Sequence, residues 1–390
     1  MGMGMPEEKP GGPPAGTGRA TAQAWHELLL RVAGTVSDDL ISEARGWLAE
    51  GQSADVAQAL GFFALTGQVP MTAADAALMM NELIADGQEF EALADLELVG
   101  PDDTRPLPWV FSPVRIIPDD PPQLVPVTLD LTTEPAEVVH DQIDAAAVVA
   151  VAAETTAAGL WRAWRAPIDD APWPAPRRVF VVSVVADADP DELPRLAARI
   201  QLALLAAGED APQVEVCQED RPVPVYQTAA CAHAALLWAA EAAHPIQLAR
   251  VFDTVDPETG PAFDADHPLI EDIPELERLL EYLDAALPVL TSSATMADIL
   301  DPERPSVVPL TFRTDGHWVW TDTVSYYLEW YGLAPEPDLL EHVRASGELP
   351  PPVSDVALHR VLSFLQQSDE SEGVWLVPET AGPGRSAVPA

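Results

Sequence analysis

Apolar residues at helical spacing fill the N-terminal part of the chain. They form four short stripes, of which the first comprises Trp25, Leu28, Leu29 and Val32. Ser37 stands before the second stripe as an N-cap, and Thr72 with Asp75 has capping-box spacing before the fourth. Each stripe after the first ends at a glycine: Gly51, Gly67 and Gly87. The pattern predicts a helical bundle over 19–99, after a disordered tail over 1–18 that is rich in Gly, Pro and Met.

A connector rich in Pro and Asp, over 100–123, separates this part from a region where strand and helix patterns alternate. Strands are predicted at Val125–Leu131, Gly159–Arg165, Arg178–Val185 and Val214–Cys217. One helix, with Pro135 in its first turn, follows the first strand, and a second helix, capped by Asp189, precedes the last strand. This order predicts a ferredoxin-like α/β sandwich over 107–219, whose antiparallel sheet holds Val179–Val185 in its interior and carries both helices on one face.

The same region resembles a known family. An Ala-rich helix runs into GLWRAWRAP, and RRVFVVSVV, DPDELPRLAARIQLALLAAG and PQVEVC follow. Residues 110–217 are similar in this pattern to the C-terminal domain of the bacterial enhanced-serine-sensitivity family. The resemblance implies a domain type and transfers no site residues or catalytic role, and the N-terminal bundle differs from that family's usual partner domain.

The remaining chain predicts a helical extension with an acidic loop over 220–300, a hairpin-plus-helices module over 305–368, and a tail over 381–390. The extension opens with a helix at Tyr226–Ala243. The fold class is therefore α+β: a helical bundle, a ferredoxin-like middle domain and a C-terminal module.

The C-terminal module contains the candidate partner-binding residues. The Asp315–Gly316 pair predicts a two-residue hairpin turn, which places Arg313 opposite Trp318, Thr311 opposite Trp320 and Phe312 opposite Val319. In that register, Arg313 can lie over the indole of Trp318. Two interpretations remain open, because the aromatic side chains can be covered by another part of the chain or form an exposed patch. The residues of the predicted patch are Arg313, Trp318, Trp320, Tyr326 and Trp330.

The charge balance excludes several classes of partner. The chain has 63 acidic and 20 basic residues, a formal net charge of −43. Such a protein is repelled by nucleic acid and anionic membranes, and its acidity attracts a basic protein or simply keeps the chain soluble. Lys9 is the only lysine, which excludes Schiff-base, pyridoxal-phosphate and phosphate-loop chemistry. Lysine scarcity with abundant Ala and Pro is typical of an actinobacterial protein, with a halophilic origin as the alternative.

Metal chemistry has one candidate location, an acidic loop. Its candidate ligands are Asp253, Asp256, Asp264, Asp266 and His267. Cys217 and Cys231 do not match a zinc ligand set with His233, and two cysteines without a secretion signal predict a cytoplasmic protein. We predict no cofactor and assign no catalytic residue.

The interpretation favoured by the sequence is a non-catalytic interaction or regulatory protein that binds another protein. One alternative is a divalent-metal hydrolase that uses the loop over 253–267. The other is an acidic mimic of nucleic acid that inhibits a basic nucleic-acid-binding protein.

Overall fold

A computed structural model describes residues 15–67, 69–88, 96, 98–100, 106–115, 128–134, 141–168 and 174–367. The chain divides into two compact units, Met1–Glu241 and Ala242–Ala390. The first unit contains both the predicted bundle and the predicted middle domain. The boundary between the units falls inside the extension predicted over 220–300.

The first unit opens with the predicted bundle of helices: α1 Ala15–Val32, α2 Asp38–Ala49, α3 Ser53–Leu65 and α4 Ala73–Ala85. Ser37 accepts a hydrogen bond from the Leu40 amide, and Thr72 and Asp75 form the capping box. Helix α1 begins at Ala15, inside the predicted tail, because glycines are tolerated in a first turn whose amide groups lack helical partners anyway. Residues 1–14 lie outside the described part.

The rest of the first unit alternates strands and helices. Its elements are β1 Trp109–Ser112, α5 Gln142–Ala152, β2 Ala157–Pro167, β3 Arg177–Val184, α6 Glu192–Ala206, β4 Gln213–Gln218, α7 Val225–Ala232 and β5 Ala235–Ala239. A 3-10 turn, Leu131–Thr133, ends the stretch predicted as the first strand. Residues 125–127 of that stretch, and Pro135 of the predicted helix, lie outside the described part.

The sheet is mixed, which corrects the antiparallel prediction. Strand β3 pairs with β2 antiparallel and with β4 parallel, and both β1 and β5 pair with the other edge of β2. Strand β3 is therefore interior, as predicted. A ferredoxin-like order puts the first strand between β3 and β4, but these two strands pair directly along all of β4. Helices α5 and α6 pack on one sheet face in a single apolar core, which confirms their predicted side.

The other face of β4 is polar and carries the N-terminal helices. Glu215 points away from the apolar core because residues of a strand alternate between faces, and Arg45 of α2 donates to its carboxylate at 2.6 Å. Gln227 of α7 donates to the same oxygen at 2.7 Å. Burial lowers the pKa of His26 to about 4, so the neutral imidazole donates from Nε2 to the Val216 carbonyl at 2.8 Å. The bundle and the sheet thus share buried polar contacts within one unit.

The predicted helix over Tyr226–Ala243 is wrong beyond Ala232. Helix α7 ends there, and β5 pairs with β2 through the buried residues Ala235 and Leu236. Alanine favours helix locally, but pairing with an open sheet edge satisfies the backbone and buries the apolar run. The conformation of this segment is therefore set by tertiary contacts and not by local helix propensity.

The second unit contains short strands and four helices in its described part. They are β6 Gln247–Leu248, β7 Thr254–Asp256, β8 Gly260–Ala262, α8 Ile273–Ala285, β9 Leu287–Leu290, β10 Thr295–Met296, β11 Val308–Pro309, β12 Phe312–Thr314, β13 Trp318–Thr321, α9 Asp322–Tyr331, α10 Pro337–Ala345 and α11 Asp355–Gln367. The central sheet has the order β6-β13-β12-β9. Its core lies between this sheet and helices α8, α9 and α10.

The hairpin of β12 and β13 has a different register from the predicted one. Arg313 lies opposite Trp320, Phe312 opposite Thr321, and Thr314 opposite Val319. The loop is longer than two residues because side chains close it: Asp315 Oδ1 accepts from the amides of His317 and Trp318. Thr314 Oγ1 also donates to the Trp318 carbonyl at 2.6 Å. Such side-chain bonds to nearby backbone compete with regular turn geometry.

Candidate functional site

Three of the predicted patch residues are buried in the second unit. The exposed fractions are 6% for Trp318, 0% for Trp320 and 8% for Tyr326. Trp318 and Trp320 pack in the core, and the Trp320 indole donates to the Leu283 carbonyl at 3.3 Å. The exposed patch of aromatic residues predicted from sequence is therefore wrong for these three residues.

Arg313 has a structural role instead of the predicted contact with Trp318. Its Nε donates to Asp322 at 2.5 Å, and its Nη1 donates to the carbonyls of Asp284 and Ala286 at 2.8 and 3.1 Å. These carbonyls lie at the end of α8, where carbonyl groups lack helical partners and a cation is favourable. The shifted register brings Arg313 to this position.

Trp330 is the exception among the predicted residues, because 53% of it is exposed. It lies near the end of α9, which Gly332 terminates in the left-handed conformation at φ 69°. The guanidinium carbon of Arg304 lies 4.0 Å from the centre of the Trp330 ring. A cation at this distance over an indole is attracted by the ring's negative face. Arg304 thus fixes an indole that remains open to solvent.

The segment that carries Arg304 is anchored to α9 by Asp298, which is 2% exposed. Its Oδ2 accepts from the hydroxyls of Tyr326 and Tyr331 at 2.9 and 2.5 Å, and its Oδ1 accepts from the Leu300 amide. Burial acts to raise the pKa of Asp298, but these donors outweigh it and lower that pKa. The carboxylate therefore holds a loop and a helix together.

We define the Trp330 surface as Trp330 and Arg304. The anchored segment that carries Arg304 also exposes two apolar residues, Leu300 at 44% and Val307 at 43%. Arg304 also pairs with Asp301 at 3.6 Å. Sequence reasoning found Trp330 but missed Asp298 and Arg304, because their partners on α9 are far along the chain and no local spacing marks them.

The acidic loop uses its predicted metal ligands to close itself. Asp256 Oδ1 accepts from the amides of Glu258 and Thr259 at 2.8 and 2.9 Å, at the turn between β7 and β8. Asp253 Oδ2 accepts from the Asp264 amide and contacts His267 Nδ1 at 2.9 Å.

The other candidate ligands of the loop do not converge on one position where a cation could bind. The other ring nitrogen of His267 lies 3.0 Å from the Ala334 carbonyl, and the side chains of Asp264 and Asp266 lie in exposed positions. Within the described ranges, no group of three or more His, Cys, Asp or Glu side chains is placed to bind a metal ion. The hypothesis of a metal site in this loop is therefore not supported.

A second cluster that the sequence did not reveal surrounds Asp315, a residue that the sequence marked only as part of a turn. Its Oδ2 accepts from the Tyr282 hydroxyl at 2.8 Å and contacts His342 Nε2 at 2.6 Å. Burial raises the pKa of Tyr282 to about 12. Asp315 Oδ1 closes the hairpin loop, so the same carboxylate ties Tyr282 and His342 to the hairpin. The cluster is better explained by the stability of the hairpin.

Comparison of the chain with family models, curated proteins and solved structures finds no significant match. In the part of the chain that the structure describes, no helix combines the length and apolarity needed to span a bilayer.

Proposed function

We propose that this protein is a non-catalytic interaction or regulatory protein that binds another protein through the Trp330 surface. The observation that carries the proposal is the half-exposed indole of Trp330, held in place by Arg304. Tryptophan and arginine dominate interface hot spots, because they offer a large apolar area and several donors. A preorganised pair also loses less side-chain entropy on binding.

The charge of the chain indicates the class of partner. A net charge of −43 attracts a basic protein over long range and repels nucleic acid and anionic membranes. We therefore propose a basic protein partner. A basic nucleic-acid-binding protein held by acidic mimicry is the narrower alternative, and the salt dependence of binding distinguishes it, since mimicry relies on many charge contacts.

The experiment compares proteins recovered by the full chain and by Trp330→Ala, using quantitative mass spectrometry. Phe62→Ala is the matched control, since Phe62 is 63% exposed and lies in the first unit. A partner that binds this surface is recovered with the wild-type chain and with the control. We expect its affinity for Trp330→Ala to fall about 30-fold or more, as for a hot spot worth ~2 kcal/mol.

Arg304→Gln sharpens this test, because it removes the cation and leaves the indole. It should weaken the same partner by about fivefold, in line with an exposed cation–π pair of ~1 kcal/mol. Both variants should melt within about 2 °C of the wild type, since the changed side chains are half-exposed. Equal binding by wild type and Trp330→Ala would reject the proposal.

For residues 110–217, we propose that the resemblance to the enhanced-serine-sensitivity family reflects a ferredoxin-like origin. The order β2, β3, α6, β4 supports it, because this is the strand–strand–helix–strand half of the expected pattern. The direct pairing of β3 with β4 counts against the complete ferredoxin-like order. NMR contacts between backbone amides of neighbouring strands test the proposal: a strand between β3 and β4 supports it, and a directly paired β3 and β4 limits the likeness to that half.

We also propose a cytoplasmic location. The support is that Cys217 and Cys231 are free thiols, which persist in a reducing compartment. Fractionation of the source cells tests this, and recovery outside the cytoplasm would contradict it.

A further inference from the structure

A cavity of about 350 Å³ opens in the first unit beside the start of β3. Its walls include Trp164 of β2, Arg177 and Arg178 of β3, Arg115 beyond β1, and Glu209 after α6. The chain has only 20 basic residues among 390, so three arginines on one cavity are a marked local concentration. This cavity is separate from the Trp330 surface, which belongs to the other unit.

The arginines have different parts in the wall. Arg178 is buried and paired through Nη1 and Nη2: it donates to Asp141 at 2.7 and 2.6 Å and to Asp144 at 2.7 Å. Its guanidinium carbon also lies 4.7 Å from the centre of the Trp164 ring. Arg178 therefore fixes the indole at the start of β3, and its charge is already balanced.

Arg115 and Arg177 keep donors that a ligand can use. The contact of Arg177 with Asp38 is long, at 3.4 Å from Nε, and the Arg177 side chain is 36% exposed. Arg115 is exposed and lies 5.4 Å from the Trp164 ring centre, and no described residue forms an ion pair with it. A guanidinium presents a planar fork of N–H donors that matches a carboxylate.

The two remaining features define the rest of the ligand. Trp164 is half-buried, and its indole offers a flat apolar wall beside the two guanidinium groups. Two acidic residues, Glu209 and Asp210, also line the cavity, and burial raises the pKa of Glu209.

We propose that this cavity binds a small carboxylate attached to a planar ring, with the carboxylate at Arg115 and Arg177 and the ring against Trp164. The volume suits such a ligand, since small-molecule sites begin at about 300 Å³. Its charge selectivity comes from the two available guanidinium groups, and its shape selectivity comes from the indole.

Benzoate is the probe for the test, measured by calorimetry on the full chain. Benzamide is its neutral analogue of the same shape, and inorganic phosphate is an anion without a ring. We expect benzoate to bind at about 1 mM or tighter, and both other compounds to bind about tenfold more weakly.

Arg115→Gln is the main variant, because an exposed side chain can be changed without loss of the fold. It should weaken benzoate about tenfold, whereas Arg195→Gln, an exposed arginine away from the cavity, should leave binding unchanged. Arg177→Gln should also weaken benzoate binding, which tests the second guanidinium group independently. Equal binding of benzoate and benzamide, equal binding of benzoate and phosphate, no benzoate binding, or unchanged binding by Arg115→Gln would each overturn the proposal.

Discussion

In the first unit, buried carboxylates at the sheet are held by guanidinium groups: Arg45 pairs with Glu215, each side chain being 2% exposed, and two further arginines hold Asp144. In the second unit, Asp298 and Asp315 are equally buried, but tyrosine hydroxyls, backbone amides and His342 hold them instead. The same problem, a carboxylate removed from water, thus has two solutions in one chain.

The two ways of stabilising a buried carboxylate should respond differently when one partner is removed. A buried charge whose single charged partner is removed remains uncompensated, which is costly. A carboxylate held by several hydrogen bonds loses them one at a time, and each contributes about 1 kcal/mol. The following variants test whether this difference between the units holds.

The largest effect is expected for Arg45→Met, which leaves Glu215 buried without its cation. The first unit should lose about 3–5 kcal/mol of its free energy of unfolding. Cys217 reports on it, because this buried thiol reacts with a labelling reagent only when β4 opens. Denaturant titrations in a Cys231→Ser background give the value. A loss no larger than that of Arg195→Met, which breaks an exposed pair, would remove the distinction between the units.

The next largest effect is expected on lowering the pH, which should destabilise the first unit at a higher pH than the second. The pKa of His26 is lowered to about 4 by burial, so the unfolded chain binds its proton more readily. Its contribution is present above pH 6.5, its ordinary pKa, and is lost as the pH falls toward 4. The loss is about 3 kcal/mol for the first unit. Hydrogen exchange measured peptide by peptide follows both units, and His26→Gln, which keeps an N–H donor without titrating, should flatten the pH profile of the first unit.

In the second unit the acid loss begins lower. Hydrogen bonds lower the pKa of Asp298 and Asp315 although burial acts to raise it, so their contribution is lost only as the pH falls below about 4. Loss of protection in both units at the same pH would contradict this order.

A smaller effect is expected for Asp315→Asn in the second unit. The amide keeps one acceptor oxygen for part of the four hydrogen bonds, so we expect a loss of about 2 kcal/mol. Hydrogen exchange of the hairpin peptides measures it, with Asp301→Asn, whose side chain is 43% exposed, as the control. If Asp315→Asn lowers the free energy of unfolding as much as Arg45→Met does, then several neutral donors do not make a buried carboxylate less sensitive to mutation than a single cation does.

The smallest effect concerns exposed pairs, where the two units should agree. Arg199→Gln in the first unit removes the ion pairs with Glu154 and Glu192, and Arg344→Gln in the second unit removes the pair with Glu275. Both arginines are about half exposed. Both should change stability by about 0.5 kcal/mol or less, and less at high salt. A large loss of stability in one unit alone would show that burial does not account for the difference between the two units.

The sequence predicted the elements that local chemistry decides. Two helix starts are set by contacts three residues apart, at Ser37 and at the pair Thr72 and Asp75. The helices of the bundle could therefore be predicted from local sequence. Strand β3 was placed in the sheet interior by its continuous apolar run. These features need no information about distant parts of the chain.

Features that depend on distant partners could not be predicted in this way. The hairpin register failed because Asp315 and Thr314 bind backbone groups of a longer loop. From the sequence alone, Trp318 and Trp320 fit either a core or an exposed patch, and in the structure they pack in the core with α8 and α10. The candidate site was found only at Trp330, since Arg304 lies 26 positions before it and becomes its neighbour only in the folded unit.

The polar contacts between bundle and sheet have a consequence for synthesis of the chain. The His26 imidazole and the Val216 carbonyl are 190 positions apart, and Gln227 and the Leu30 carbonyl are 197 apart. Ribosomes add about 5–20 residues per second, so the first helix waits roughly 10–40 s for these partners. During that time, the inner polar groups of the bundle remain in water. Arg45 is desolvated only when β4 arrives with Glu215, so closure of the first unit is a late event that follows translation of its last strands.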